Sequence, residues 1–213
     1  VIVLYFGAIK NCDIANGPGV RVSIFVSGCT NGCHNCFQPE TWDFQYGSPF
    51  DKAAQDHIID LLRPAYIKGL TVLGGEPFEP ANQRALYPFI ERVRQTYPEK
   101  SIWMYSGNRL EEILGSCGDT IEDGDLRKAR PAYIHTEVSD DLLALIDVLV
   151  DGRFVERLKD ISLDFRGSSN QRLIDMPMTL KEGHVVLWEN VTSKRPDLPH
   201  GVNSLRGIDP AGN

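Results

Sequence analysis

Three cysteines, Cys29, Cys33 and Cys36, fall within eight residues, directly after Val20–Ser27, a run dense in β-branched side chains. Thiols this close together cannot form a disulfide framework. A C-x3-C-x2-C spacing reads first as a set of metal ligands. The backbone must therefore leave an extended strand, entered through the turn Asn16-Gly17-Pro18-Gly19, and fold at once into a loop that gathers three sulfurs. The other two cysteines, Cys12 and Cys117, stand alone and read as small buried hydrophobes.

Around that loop, strands and helices alternate. Val1–Ile9 is apolar, with no basic stretch before it and no small-residue cleavage site after it, so it reads as a first core strand and not as a leader. Asp51 is placed to cap a helix over Lys52–Arg63 that Pro64 stops. A short strand at Leu70–Leu73 runs into Gly74-Gly75-Glu76-Pro77. A helix follows with Leu86, Phe89, Ile90 and Val93 on one side and a kink or restart at Pro88. Ser101–Tyr105 is strand-like and ends at Ser106-Gly107, and Arg109–Leu114 starts another helix. Cys117–Glu137 is polar and reads as a surface insertion. Ser139 caps a helix to Leu145, and Asp147–Val150 is a strand that runs into Asp151-Gly152. Further strands are expected near Leu173–Asp175 and His184–Trp188, and Val191–Asn213 reads as a tail.

This alternation predicts an α/β fold built from parallel β/α units. With too few units to close an eight-fold barrel, the expectation is an open, partial (β/α) barrel of parallel strands. The cysteine loop, Gly-Gly-Glu-Pro, Ser106-Gly107 and Asp151-Gly152 each follow a predicted strand, and the carboxyl ends of parallel strands are where ligands bind. Four motifs on four strand ends point to one site. The chain carries 22 Lys and Arg against 29 Asp and Glu, a net charge of −7, which argues against binding nucleic acid or an anionic membrane. No apolar run approaches the roughly 18 residues of a membrane span.

Three thiolates can hold zinc with a water in the fourth position, or three irons of a 4Fe–4S cluster. The nearby fourth ligand for zinc is His34, which adjoins Cys33 and would have to fold back to reach the same ion. The cluster reading leaves one iron open, where the amino and carboxylate groups of a methionine-like ligand can chelate. Gly74 and Gly75 permit close backbone approach, and Glu76 can accept an ammonium group. Phe37 fits an aromatic packed against an adenine, or simple loop packing. Ser106 and Asp151 are candidates for the carboxylate or ribose side of the pocket, or a turn hydroxyl and a cap carboxylate. Arg21 and Arg166 read as contacts to a partner or ligand, or as surface pairs. Asn170 and Gln171 read as recognising the backbone of an inserted peptide, or as solvated loop residues.

Cys29-x3-Cys33-x2-Cys36-Phe37 with Gly74-Gly75-Glu76-Pro77 resembles the radical S-adenosylmethionine (SAM) superfamily. Asn16-Gly17-Pro18-Gly19-Val20-Arg21 is similar to the activating enzymes of glycyl-radical enzymes. Asp147–Phe154 and Phe165–Arg172 resemble the activating proteins of the anaerobic (class III) ribonucleoside-triphosphate reductase. The resemblance implies a partial barrel of radical SAM type over 1–190, with an insertion at 116–138 and a tail at 191–213. It implies a 4Fe–4S cluster on Cys29, Cys33 and Cys36, and SAM in a pocket that includes Phe37, Gly74, Gly75, Glu76, Ser106 and Asp151. It also implies reductive cleavage of SAM to a 5′-deoxyadenosyl radical that makes a glycyl radical on the partner reductase, a flavodoxin-like electron donor, and an anaerobic cytoplasm. Activation of another glycyl-radical enzyme, a small-molecule radical SAM reaction, or a non-catalytic zinc module are the alternatives.

Overall fold

The computed structural model describes residues 3–116 and 134–189. Its strands follow the period-two pattern of the sequence. In Val20–Val26 (β2), Val22, Ile24 and Val26 face a helix-covered core while Arg21 and Ser23 face the other way. The same alternation places Leu70 and Val72 of Ile67–Gly74 (β4), and Ile102 and Met104 of Ser101–Tyr105 (β5), on the helix side. Tyr5–Asp13 (β1), Ser48–Pro49 (β3), Val148–Asp151 (β6) and Arg172–Asp175 (β7) complete an open seven-stranded sheet of order β3-β1-β2-β4-β5-β6-β7.

The expectation of parallel strands holds for the centre, where β2, β4, β5 and β6 run parallel. It fails at both flanks. β1 is antiparallel to β2 and to β3, and β7 is antiparallel to β6. Between β1 and β2 the reason is connection length: six residues cannot make the crossover that parallel pairing requires. The fold is therefore mixed α/β with a sheet that does not close.

Helix Lys52–Leu62 (α1) starts where Asp51 accepts a hydrogen bond from the Ala54 amide at 2.9 Å and buries Ile58 and Leu62. Pro80–Thr96 (α2) runs through Pro88 without restarting and buries Leu86, Phe89, Ile90 and Val93. After Leu110–Ile113 (α3), Ser139–Leu145 (α4) opens with Ser139 inside its first turn and not at the cap. The Ser139 hydroxyl donates to Gln83 Oε1 at 2.6 Å and accepts from the Thr136 amide. The expected strand at His184–Trp188 is an isolated bridge from Leu187 to Ile174, reached after helix Met176–Glu182 (α5). Of the expected insertion only 116 and 134–138 are described, and the tail lies outside the described residues. Among the described residues no helix is long and apolar enough to cross a membrane.

The sheet's second face carries Trp103, which packs edge-to-face against Phe165 and Trp188 at 5.5 and 5.0 Å between ring centroids. Arg21 lies fully buried beside it, near the start of β2 and so at the end of the strand away from the cysteines. Its guanidinium donates to Thr71 Oγ1, Ser101 Oγ and the carbonyls of Leu70 and Ser101, and sits 5.5 Å from the Trp103 ring. Burial draws its pKa down to about 10. Arg21 is thus a pillar of the interior that ties β2 to β4 and β5, neither a surface pair nor a ligand contact.

Candidate active site

At the carboxyl end of β2 the chain turns through Gly28, whose amide bonds the Thr41 carbonyl at 2.8 Å and whose φ of +93° favours glycine. From there the cysteine loop crosses the ends of the central strands. Cys29, Cys33 and Cys36, each partly buried, line one cleft. Gly74 at the end of β4 and Gly75 after it, Ser106 and Gly107 after β5, and Gly152 after β6 line the same cleft. All four strand-end motifs contribute to it.

The two glycines of Gly-Gly-Glu-Pro earn their place through backbone packing. A Cβ at Gly74, whose φ is +112°, would meet Val26 O at 2.7 Å, and one at Gly75 would meet Gly28 O at 2.7 Å. Their missing side chains let the end of β4 lie against the root of the cysteine loop. Glu76 is fully buried. Its Oε1 accepts from the Phe78 amide and Ser106 Oγ, both at 2.9 Å, and its Oε2 accepts from Asn31 Nδ2 and the Gly107 amide, both at 2.8 Å. Two donors on each oxygen use the acceptor capacity of a carboxylate. Glu76 thus binds the cysteine loop, the end of β4 and the end of β5 into one unit. Burial raises its pKa to about 7 against the pull of those donors.

Ser106 stands at the cleft wall, donating to Glu76 and accepting from the Asn108 amide at 2.9 Å. Phe37 is 78 % exposed at the rim and borders the cleft together with Trp42. Asp151 does not reach the cleft. It is fully buried on the helix side of β6, where it accepts from the Leu110 amide at 2.8 Å at the start of α3 and pairs through both oxygens with Arg172. Arg172 also takes both oxygens of Glu111. Burial raises the Asp151 pKa, opposed by Arg172. Asp151→Asn is expected to cost about 2 kcal/mol in urea unfolding, because one partner of a buried pair is lost while Glu111 still holds Arg172. Wild-type SAM affinity in that variant would separate Asp151 from the cleft; weakened affinity would return it there.

Asn170 and Gln171 do recognise backbone, but their own chain's. Asn170 Nδ2 donates to Arg153 O at 2.8 Å, and Gln171 Nε2 donates to Gly152 O at 2.9 Å. Arg166 donates to Gln171 O at 2.9 Å. Together they fasten the segment after β6, which faces the cysteine loop. Residues not singled out in the sequence complete the site. Asn31 hangs from Glu76, while Glu79 accepts from the Thr30 amide at 2.7 Å and from its hydroxyl. Arg153, mostly buried and 3.8 Å from Glu112, lends positive charge to Cys33. Asn31 lies inside the cysteine motif, between Cys29 and Cys33. The carboxylates are distant in sequence and carry no local signal.

Cys29 and Cys33 sit in an environment that opposes their ionisation. Burial, with Glu76 nearby, pushes Cys29 up to about 12, and burial with Cys36 pushes Cys33 up. Ligation requires the thiolate, so cation loading must release protons. Three thiols share one cleft, and cysteine thiolates are the ordinary protein ligands of an iron–sulfur cluster. His34, the nearby fourth ligand a zinc ion would need, is exposed and bonded to Glu156.

Residues 15–174 match the family described as a 4Fe-4S single cluster domain. The chain is 38% identical over 161 residues to the anaerobic ribonucleoside-triphosphate reductase-activating protein of Haemophilus influenzae, covering 75% of this chain and 90% of that one. The protein of the same name from Escherichia coli matches with the same identity and coverage. That of phage T4 is 32% identical over 168 residues, covering 79% of this chain and 92% of that one.

Proposed function

The chain belongs to the family of anaerobic ribonucleoside-triphosphate reductase-activating proteins, and from that premise we propose that it is a radical SAM activase that generates the glycyl radical of such a reductase. The observation that carries the reading is the cleft itself: three thiols and three further strand ends meet at the carboxyl edge of the sheet's parallel centre. We read the open sheet as a partial barrel of radical SAM type, in a cytoplasmic protein served by a flavodoxin-like donor.

Cys29, Cys33 and Cys36 would hold the 4Fe–4S cluster. When bound, that group would supply the low-potential electron for one-electron reductive cleavage of SAM, the chemistry from which hydrogen-atom abstraction at a partner glycine would follow. The chain's own part is placement. Glu76 keeps Asn31, Ser106 and Gly107 fixed relative to the cysteine loop, so the cleft wall does not reorganise when ligand enters. Gly74, Gly75 and Ser106 form the wall against which SAM would lie, and Phe37 offers an exposed ring at the rim for its adenine. With both Glu76 oxygens engaged, the methionyl ammonium is left to the backbone of this wall, and Glu76 acts through the groups it holds.

Anaerobically reconstituted protein is expected to contain iron and sulfide and, on reduction with SAM, to yield methionine and 5′-deoxyadenosine. Colourless protein without iron or sulfide would sink the proposal and favour a zinc module.

A further inference from the structure

The two halves of the cysteine loop are held from different sides. Between the first and second thiols, Thr30 is gripped by Glu79 at the start of α2 and Asn31 by Glu76. Between the second and third thiols lie only His34 and Asn35, and both bond to one carboxylate 121 or more residues away. His34 Nδ1 is 3.0 Å from Glu156 Oε2, and Asn35 Nδ2 donates to Glu156 Oε1 at 2.6 Å.

These contacts fall on a turn. The Cys36 amide bonds the Cys33 carbonyl at 3.2 Å, so Cys33 and Cys36 are the first and last residues of a four-residue turn with His34 and Asn35 at its centre. Asn35 has φ +54°, the left-handed conformation that a type II turn needs at its third position. Asparagine takes that conformation more readily than other non-glycine residues but less readily than glycine, so a grip on its side chain helps to keep it there. Here the holding group is the Glu156 carboxylate, which engages both central side chains at once. Glu156 begins a short 3-10 turn, Glu156–Leu158, in the segment after β6. That segment is itself fixed by Asn170 and Gln171. It also brings the Phe154 amide and the charge of Arg153 to Cys33.

We infer that Glu156 is a positioning residue of the cluster site: by gripping His34 and Asn35 it sets the turn that presents Cys33 and Cys36 as one pair of ligands. The inference rests on the reading of the three thiols as cluster ligands. It assigns to the connection between β6 and β7 the task of closing the outer half of the cluster loop, and it explains why Asn170 and Gln171 spend their amides on Arg153 and Gly152. The grip is external and exposed, so its loss is expected to loosen the loop without unfolding the sheet.

The test uses the reconstituted full chain and follows iron transfer to a colorimetric chelator under anaerobic conditions. Glu156→Ala is expected to lose iron about ten-fold faster than wild type, the scale on which groups that orient metal ligands act. Its thermal unfolding should be unchanged. Adding Asn35→Gly to that variant is expected to slow the loss again, because glycine takes positive φ without being held. Apo protein should show the same order in hydrogen exchange of the Cys36 amide. A wild-type rate in Glu156→Ala, or a double variant as leaky as the single one, overturns the inference. Wild-type protein that takes up no iron would instead overturn the cluster reading beneath it.

Discussion

Replacing Cys33 with alanine is expected to give a folded protein that assembles no 4Fe–4S cluster and releases no 5′-deoxyadenosine from SAM. Cys33 is partly buried on a loop, outside both apolar clusters that hold the sheet to its surroundings. Its removal should therefore cost no more than about 1 kcal/mol in urea unfolding. The chemical loss is complete because a cluster with one iron already open to ligand keeps two protein thiolates instead of three. Iron and sulfide analysis of anaerobically reconstituted protein, with product measured by chromatography, checks it. Wild-type iron content together with retained SAM cleavage would remove Cys33 from the ligand set.

Glu76→Ala is expected to be the most destabilising single change in the cleft, and to damage the cluster site and SAM binding together. Alanine strands four donors, the amides of Phe78 and Gly107, Asn31 Nδ2 and Ser106 Oγ. Each buried unpaired group costs about 1–3 kcal/mol, so a loss of at least about 3 kcal/mol is expected. Because Asn31 is part of the cysteine loop, iron retention should fall too. A variant of wild-type stability that only weakened SAM affinity would mean that Glu76 meets the ligand directly.

The same residue gives a pH dependence of defined sign. Its folded pKa is raised to about 7 from 4.5. Between those values the folded state keeps a proton that the unfolded state releases, so the contribution of Glu76 to stability falls as pH rises through the window and levels off above it. The size is roughly 3 kcal/mol. Urea unfolding of apo protein at pH 5 and pH 7.5 should register that fall, and Glu76→Gln should remove it. An equal fall in both proteins would place the titration elsewhere.

What the sequence made legible was local chemistry. The Asp51 cap, the strand Ser101–Tyr105 and the burial of Leu86, Phe89, Ile90 and Val93 follow from side-chain type and spacing, and the structure has them where the pattern puts them. The meeting of four strand ends followed from the rule for parallel sheets. The direction of side chains at those ends did not follow from that rule. Asp151 has the parity of Leu149, which packs on the helix side, whereas Val148 and Val150 face the other way. Counting by twos along β6 would have sent its carboxylate to α3 and away from the cleft. The antiparallel flanks required knowing which neighbours the edge strands choose. The grips of Glu79 on Thr30 and Glu156 on Asn35 join residues 49 and 121 positions apart, and no periodicity encodes such a pairing. Arg21 is neither a surface pair nor a ligand contact because β4 and β5, distant in sequence, supply hydroxyl and carbonyl partners for its guanidinium.

The most direct measurement is an electron paramagnetic resonance spectrum of the anaerobic reductase mixed with this protein, SAM and a one-electron reductant. The account predicts a glycine-centred doublet that needs all four components and vanishes with the Cys33→Ala chain. A reductase that stays silent while iron-loaded protein cleaves SAM would contradict the activase reading and leave a radical SAM enzyme with a different target.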